Sequence, residues 1–255
     1  MDVSILVLAL VQGILEWFPV SSSGHLYIFE LLLGFKSGLD LEVALHFGTL
    51  MAVFVYFRKD IVNIVRDLIH SKWKTNNSRL GFLIIIASIP VAIFGFLFRS
   101  YFEISSSFIV LGFGWIVTST ALFIGAFSNT KLNNASSLSF SKALLVGFAQ
   151  VISLVPGVSR SGMTISSGLL FGLNEKDALK FSYLLSIPAI IGANIVTFGN
   201  RTIHSDFLIP SLVCFLVGLI FINISFNYVL NNKRNLIWFG IYTLILGIIC
   251  IIFSF

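Results

Sequence analysis

Six apolar stretches long enough to cross a bilayer, and two more that are apolar but broken in the middle, constrain this chain most. The six lie at about 40–57, 79–98, 107–127, 176–198, 207–229 and 235–254, each near the roughly 20 residues a helix needs to span hydrocarbon. In lipid every backbone N–H and C=O must be satisfied within the chain, so spanning elements are helices or closed barrels. The apolar residues run continuously rather than alternating, which argues against a barrel. With 57% of 255 residues hydrophobic and 11% charged, the expected fold is all-α, a polytopic membrane helical bundle forming a single integral membrane domain over 1–255.

The broken regions, about 3–34 and 140–172, are interrupted by Pro, Gly and several Ser. Each splits into two arms too short to span, and each reads as a re-entrant helical hairpin. Irregular backbone at membrane depth survives only where protein or a polar cavity surrounds it, so the breaks at 19–24 and 156–162 mark a site. The breaks are also related to each other. An ungapped offset of 138 sets Gln12 on Gln150, Ile14 on Ile152, Val20 on Val158, Ser21 on Ser159, Ser23 on Ser161 and Gly24 on Gly162. The same offset sets Leu31, Leu32 and Gly34 on Leu169, Leu170 and Gly172. The chain is therefore read as two repeats, about 1–127 and 139–255, each a hairpin followed by three spans. Three spans change sides and a hairpin does not, so the second repeat is inverted and the two hairpin tips approach from opposite faces.

Charge orients the bundle. Arg58, Lys59, Arg66, Lys72, Lys74, Arg79, Lys131, Lys142, Lys176, Lys180, Lys233 and Arg234 fall on one side, against Lys36, Arg99 and Arg201 on the other. The richer side is expected to be cytoplasmic. The first hairpin then enters from the outer face, and the net charge of +5 implies topology rather than a nucleic-acid partner. Segment 58–75, with Ile61, Ile64, Val65 and Leu68 set against Arg66 and Lys72, reads as a surface-lying amphipathic helix. The N-terminal apolar stretch holds Glu16 and Pro19 and lacks a preceding cation, so it is expected to stay in the mature protein. Cys214 and Cys250 lie in apolar runs away from other ligands, which predicts neither a disulfide nor a metal site.

The first hairpin reads Q-G-I-L-E-W-F-P-V-S-S-S-G-H. Gln12 and Glu16, four apart, share a helix face. A carboxylate at mid-membrane costs about 2.5–3.5 kcal/mol and calls for a function and a partner; His25 is the partner the sequence offers. Ser21, Ser22 and Ser23 can cap the ascending arm and leave backbone N–H groups in the break. The second hairpin, P-G-V-S-R-S-G-M-T, supplies Ser159 and Ser161 as caps, Thr164, and the fork of Arg160, which repeat symmetry sets opposite Ser22. Two positive helix ends plus an arginine in a low-dielectric cleft suit a multiply charged anion, with phosphate or diphosphate foremost. His46, four residues after Glu42, either lines the site or makes a helix-packing hydrogen bond. The G-x-x-x-G at 168–172 reads as close helix packing, and Pro90 and Pro188 as kinks.

These two motifs, together with H-F-G-T-L-M-A-V-F-V-Y-F-R-K-D from residue 46, resemble the undecaprenyl-diphosphatase family, the bacitracin-resistance type of membrane phosphatase, over nearly the whole chain. The resemblance implies hydrolysis of a C55-type polyprenyl diphosphate to the monophosphate and inorganic phosphate, at the outer face of a plasma membrane, in recycling of the cell-wall lipid carrier. On matching positions it implies Glu16, Ser22, His25 and Arg160 as catalytic, with Gln12, Ser21, Ser23, Ser159, Ser161 and Thr164 around the substrate. It implies use of Mg²⁺ or Ca²⁺ and no organic cofactor. Many members carry Glu where this chain has Gln12, and neither break holds a second acid, so a metal is expected to be held mainly by substrate phosphates. The implied partners are the polyprenyl diphosphate lipid and the bilayer, with a homodimer compatible and nucleic acid excluded.

Two chemistries stay open at this level. Ser22 attacks, with His25 as base and Glu16 orienting the imidazole; or His25 is itself the nucleophile, or the base for water. A transporter or flippase for a phosphate-bearing lipid is the rival function, since inverted repeats with broken helices also build carriers. A purely structural scaffold leaves the buried charges unexplained.

Overall fold

In a computed structural model, which describes residues 2–98, 107–129, 134–198 and 205–254, the described residues are helical with no strand. Arg99, Lys131 and Arg201 lie outside them. Helix α1 (Val3–Leu15) and α2 (Ser22–Leu33) form the first hairpin. They are followed by α3 (Leu39–Tyr56), α4 (Arg58–Ile69), α5 (Asn76–Leu97) and α6 (Phe108–Ala126). The second hairpin is α7 (Phe140–Ile152) and α8 (Arg160–Leu170), and α9 (Glu175–Phe198), α10 (Leu208–Ile224) and α11 (Leu236–Ile252) complete the chain. Helices α3, α5, α6, α9, α10 and α11 are each long and apolar enough to cross a membrane. The first hairpin arms α1 and α7, at 13 residues each, reach only about 20 Å against a hydrocarbon core of about 30 Å.

The non-helical turns are 16–21 and 153–159, earlier than the expected 19–24 and 156–162. The reason is capping. Ser21 Oγ accepts from Gly24 N at 3.3 Å, and Ser159 Oγ accepts from Gly162 N at 3.1 Å, so each serine starts a helix and the following residues are already its first turn. The 138-residue offset reappears in these bonds. The Ser21–Ser23 hydroxyls pair at 3.4 Å and those of Ser159 and Ser161 at 3.2 Å. Gly34 and Gly172 both take positive φ, 61° and 105°. Their successors Phe35 and Leu173 donate to Glu30 O and Gly168 O, each at 3.0 Å. Each closes its helix with the same left-handed cap, so Gly172 terminates α8 instead of serving helix packing as the G-x-x-x-G reading expected.

Packing follows the same exchange. Helix α5 lies on α7 as α10 lies on α1, α3 lies on α10 as α9 lies on α5, and the equivalent pairs α3–α9 and α6–α11 touch each other. Lipid tails are as apolar as leucine, so burial of oil against oil drives little of this; close approach and internal hydrogen bonds carry it. Helix α6 is where both turns are fastened. Trp115 Nε1 donates to Val20 O at 2.9 Å, while Thr118 Oγ1 accepts from Ser159 N at 2.9 Å and lies 3.3 Å from Gly157 O. Gly114 lets the second turn come this near: a Cβ there would stand 2.2 Å from Pro156 O.

The cationic loops gather at one end of the bundle and hold its carbonyls. Arg79 donates to Ser136 O and Leu138 O at 2.5 and 3.2 Å, Lys142 to Phe171 O at 3.0 Å, and Lys233 to Ser128 O at 2.6 Å. Lys180 pairs with Asp60 of α4 at 2.5 Å. The amphipathic segment is shorter than 58–75 and is seated differently. Ile64 is buried and Ile61 and Leu68 partly so, whereas Val65 is 47% exposed. The buried stripe passes through Asp67, which accepts from Thr75 and Asn77 at 3.0 and 2.8 Å and so ties α4 to the start of α5.

If the close approach at α6 fixes the second turn, Gly114→Ala lowers stability by about 1–3 kcal/mol, because its obstacle is backbone that cannot move aside. Gly192→Ala, with nothing within 4 Å of its added methyl, leaves stability unchanged or slightly higher. Thermal unfolding of the two variants side by side in one detergent measures the difference.

Candidate active site

The two turns meet inside the bundle. Ser161 Oγ of the second hairpin donates to Phe18 O of the first at 3.0 Å. Beside that contact Arg160 Nη2 lies 2.5 Å from Glu16 Oε1. Glu16 is 8% exposed, so its charge has left water and must be balanced by what surrounds it. Besides Arg160, it receives Ser22 Oγ–H on Oε2 at 2.6 Å and Gln12 Nε2–H on the same oxygen at 3.0 Å. The turn that delivers it is held from behind: Trp17 O accepts from Tyr183 OH at 2.8 Å and from Ser225 Oγ at 3.1 Å. Trp17 and Tyr183 are fully buried, ring edge to ring face at 5.3 Å between centroids.

Around this cluster is a cavity of about 320 Å³ lined by Glu16, Ser21, Ser22, Ser23, Ser159, Arg160 and Ser161, among others. Both hairpin serines therefore face the space their helix N-termini enclose. The first turn of a helix leaves amides without an intrahelical acceptor, and here two such ends converge. Ser21 sits at φ 67°, a region that non-glycine residues avoid; strain of this kind costs of order 1–3 kcal/mol and persists only where surroundings enforce it.

Three of the sequence-predicted residues stand behind the cavity, not in its wall. Gln12 is fully buried and reaches the site only through Glu16. Thr164 bonds to Arg160 O at 2.9 Å and to Ser182 Oγ at 2.7 Å, bracing the start of α8. His25 is the larger correction. It does not pair with Glu16: its Nδ1 lies 2.8 Å from Ser21 O and its Nε2 2.7 Å from Tyr242 OH. Because a carbonyl only accepts, Nδ1 carries the proton and Nε2 accepts from the tyrosine. The imidazole is edge-on to Trp115 and stacked with Tyr242, which explains the displacement: α6 and α11 draw the ring to the far face of α2.

The imidazole that does approach Glu16 is His46, whose Nε2 is 4.0 Å from Oε2 and which lines the cavity from α3. Its Nδ1 lies 2.9 Å from Glu42 O, one turn back on the same helix, so of the two alternatives the lining role is the one the structure shows. Glu42, Gln150, Ser153 and Asn194 also line the cavity. The i, i+4 spacing of Glu42 and His46 was the available signal for the first; that α9 contributes Asn194 depends on tertiary packing alone. Among the described residues no group of three or more His, Cys, Asp or Glu side chains is close enough to hold a metal ion. Glu16, the best placed acid, is already engaged by Arg160, Ser22 and Gln12. The donor set does not fit a protein-held Mg²⁺ or Ca²⁺.

A family profile described as "Bacitracin resistance protein BacA" matches residues 5–249. The chain belongs to that family. Among relatives, a protein named undecaprenyl-diphosphatase from Methanosphaera stadtmanae is 35% identical over 98% of this chain and 97% of its own. Proteins of the same name from Thermosipho africanus and Trichlorobacter lovleyi are 38% and 39% identical, covering 96% and 92% of this chain and 97% and 92% of theirs. The BacA match takes in the segments of both hairpins.

Removing one member of the buried pair strands the other. Arg160→Met or Glu16→Leu alone is expected to destabilise the protein by about 3–5 kcal/mol, with much of that recovered in the double variant. A thermal double-mutant cycle checks it; additive losses would deny that the pair joins the two hairpins.

Proposed function

We propose that this BacA family member is an undecaprenyl-diphosphate phosphatase, a hydrolase that cleaves the terminal phosphate from a polyprenyl diphosphate at the outer face of the cell membrane and so recycles the cell-wall lipid carrier and confers bacitracin resistance. The observation that carries this reading is the Glu16–Ser22–Arg160 cluster at the meeting point of two helix N-termini. A carrier for an anion needs donors and positive ends; it has no use for a hydroxyl held 2.6 Å from a buried carboxylate. The relatives named undecaprenyl-diphosphatase support the substrate class.

In this mechanism the phosphate dianion takes over Arg160 from Glu16 Oε1, and the carboxylate, no longer neutralised by the guanidinium, becomes basic enough for Oε2 to take the proton that Ser22 already directs at it. Ser22 Oγ forms a bond to the terminal phosphorus while the bond to the bridging oxygen breaks, and the electron pair leaves on the polyprenyl monophosphate. Arg160 and the amides at the starts of α2 and α8 face the charge as it shifts. Glu16 passes the serine proton to the departing monophosphate; water then attacks the phosphoserine, giving a proton to the again ionised Glu16, and Ser22 Oγ leaves with its electron pair, takes that proton back from Glu16 and releases inorganic phosphate. His25, with both ring nitrogens engaged, acts as a positioning residue: it holds Ser21 in its left-handed conformation and thereby aims Ser22. A divalent cation, Mg²⁺ or Ca²⁺, would be held by the substrate's phosphates, since the described residues form no cage for it, and would supply neutralisation of their charge.

Phosphate release from farnesyl diphosphate by the purified protein tests the proposal. Ser22→Ala and Arg160→Ala are expected to lose at least about a thousandfold in kcat/KM. His25→Ala should lose less, with its loss in kcat, since it acts through the turn. A labelled phosphoenzyme should form in wild type and be absent in Ser22→Ala; a Ser22→Ala variant of full activity would remove serine from the chemistry, and full activity in Arg160→Ala would reject the site.

A further inference from the structure

Gln150 is fully buried and lines the cavity, yet neither its side-chain nitrogen nor its oxygen has a hydrogen-bond partner. An unmatched buried amide costs stability, so such groups are rare unless a ligand or water completes them. The repeat explains how this one arises. Gln12, its equivalent, gives its Nε2–H to Glu16, with only its Oε1 left unmatched. The residue equivalent to Glu16 is Leu154, which also lines the cavity. The second repeat has kept the amide and lost the carboxylate it served.

Resting on the phosphatase reading, we propose that Gln150 is a substrate contact that binds the second phosphate of the diphosphate headgroup, the one the lipid keeps. An anionic oxygen restores what Leu154 fails to supply: an acceptor for Nε2–H. The neighbours suit that guest. Ser153 and Asn194 line the same cavity, as do Ser159 and Arg160 at the start of α8. Arg160 and the helix starts hold the terminal phosphate where Ser22 reaches it, while Gln150 holds the other. The first repeat thus supplies the reacting groups and the second discriminates a diphosphate from a monophosphate.

The test compares full-length wild type with Gln150→Met, which keeps the shape and removes both hydrogen-bonding ends. With farnesyl diphosphate KM is expected to rise about tenfold and kcat to stay within about threefold. Without ligand the Tm should hold or rise, since an unmatched amide has gone, and the Tm increase that inorganic pyrophosphate causes in wild type should shrink. Gln150→Glu, placing a like charge against phosphate, should weaken the pyrophosphate effect further and stands in if the methionine variant fails to fold. Unchanged KM with an unchanged pyrophosphate response overturns the proposal, as does a fall in ligand-free Tm with KM intact, which marks a packing role. Wild type that releases no phosphate from farnesyl diphosphate defeats the phosphatase reading instead, and the pyrophosphate response then decides for or against Gln150 alone.

Discussion

Glu16 and Arg160 come from half-length hairpins that cross only part of the membrane, and their contact at 2.5 Å is the constraint on which the rest depends. Each charge is expensive in lipid by itself. Together, with Ser22 and Gln12 completing the carboxylate, they become tolerable, and the chain must bring both turns to one place to achieve it. The fastening of those turns by Trp115, Thr118, Tyr183 and Ser225 follows from this requirement. Such bonds matter more here than in a soluble core, because packing apolar helices against each other gains little over packing them against lipid tails.

The same constraint gives the site its chemistry. A guanidinium held by a carboxylate between two helix N-termini is, in the proposed mechanism, a resting state in which a phosphate dianion replaces the carboxylate on Arg160 and leaves Glu16 to act on Ser22. The positive φ of Ser21 fits the same arrangement, with strain at a turn whose hydroxyl, carbonyl and successor all have work to do.

Internal duplication has been used unevenly. The caps, hydroxyl pairs and left-handed helix ends recur in both hairpins with nearly identical distances, since those features build the re-entrant fold and each hairpin needs them. The reactive positions have diverged. Ser22 faces Arg160 across the repeat, Glu16 has become Leu154, and His25 corresponds to Met163. Symmetry persists where it serves the backbone and ends at the polar cluster where the two turns meet.

By itself the sequence determined the spans and the two broken hairpins, and it singled out Glu16, Ser22 and Arg160, which the structure brings together. These rest on hydropathy, on punctuation by Pro, Gly and Ser, and on the cost of charge in lipid, all of which are local. It pointed to His25 as the partner of Glu16 because the two are near in the chain and chemically matched. The tertiary structure decided otherwise: α2 turns the His25 ring toward Tyr242 and Trp115 of α11 and α6, while α3 brings His46 to the carboxylate. Which face a helical residue presents is legible from spacing; which neighbour occupies that face depends on helices distant in the chain, and no local rule encodes their packing.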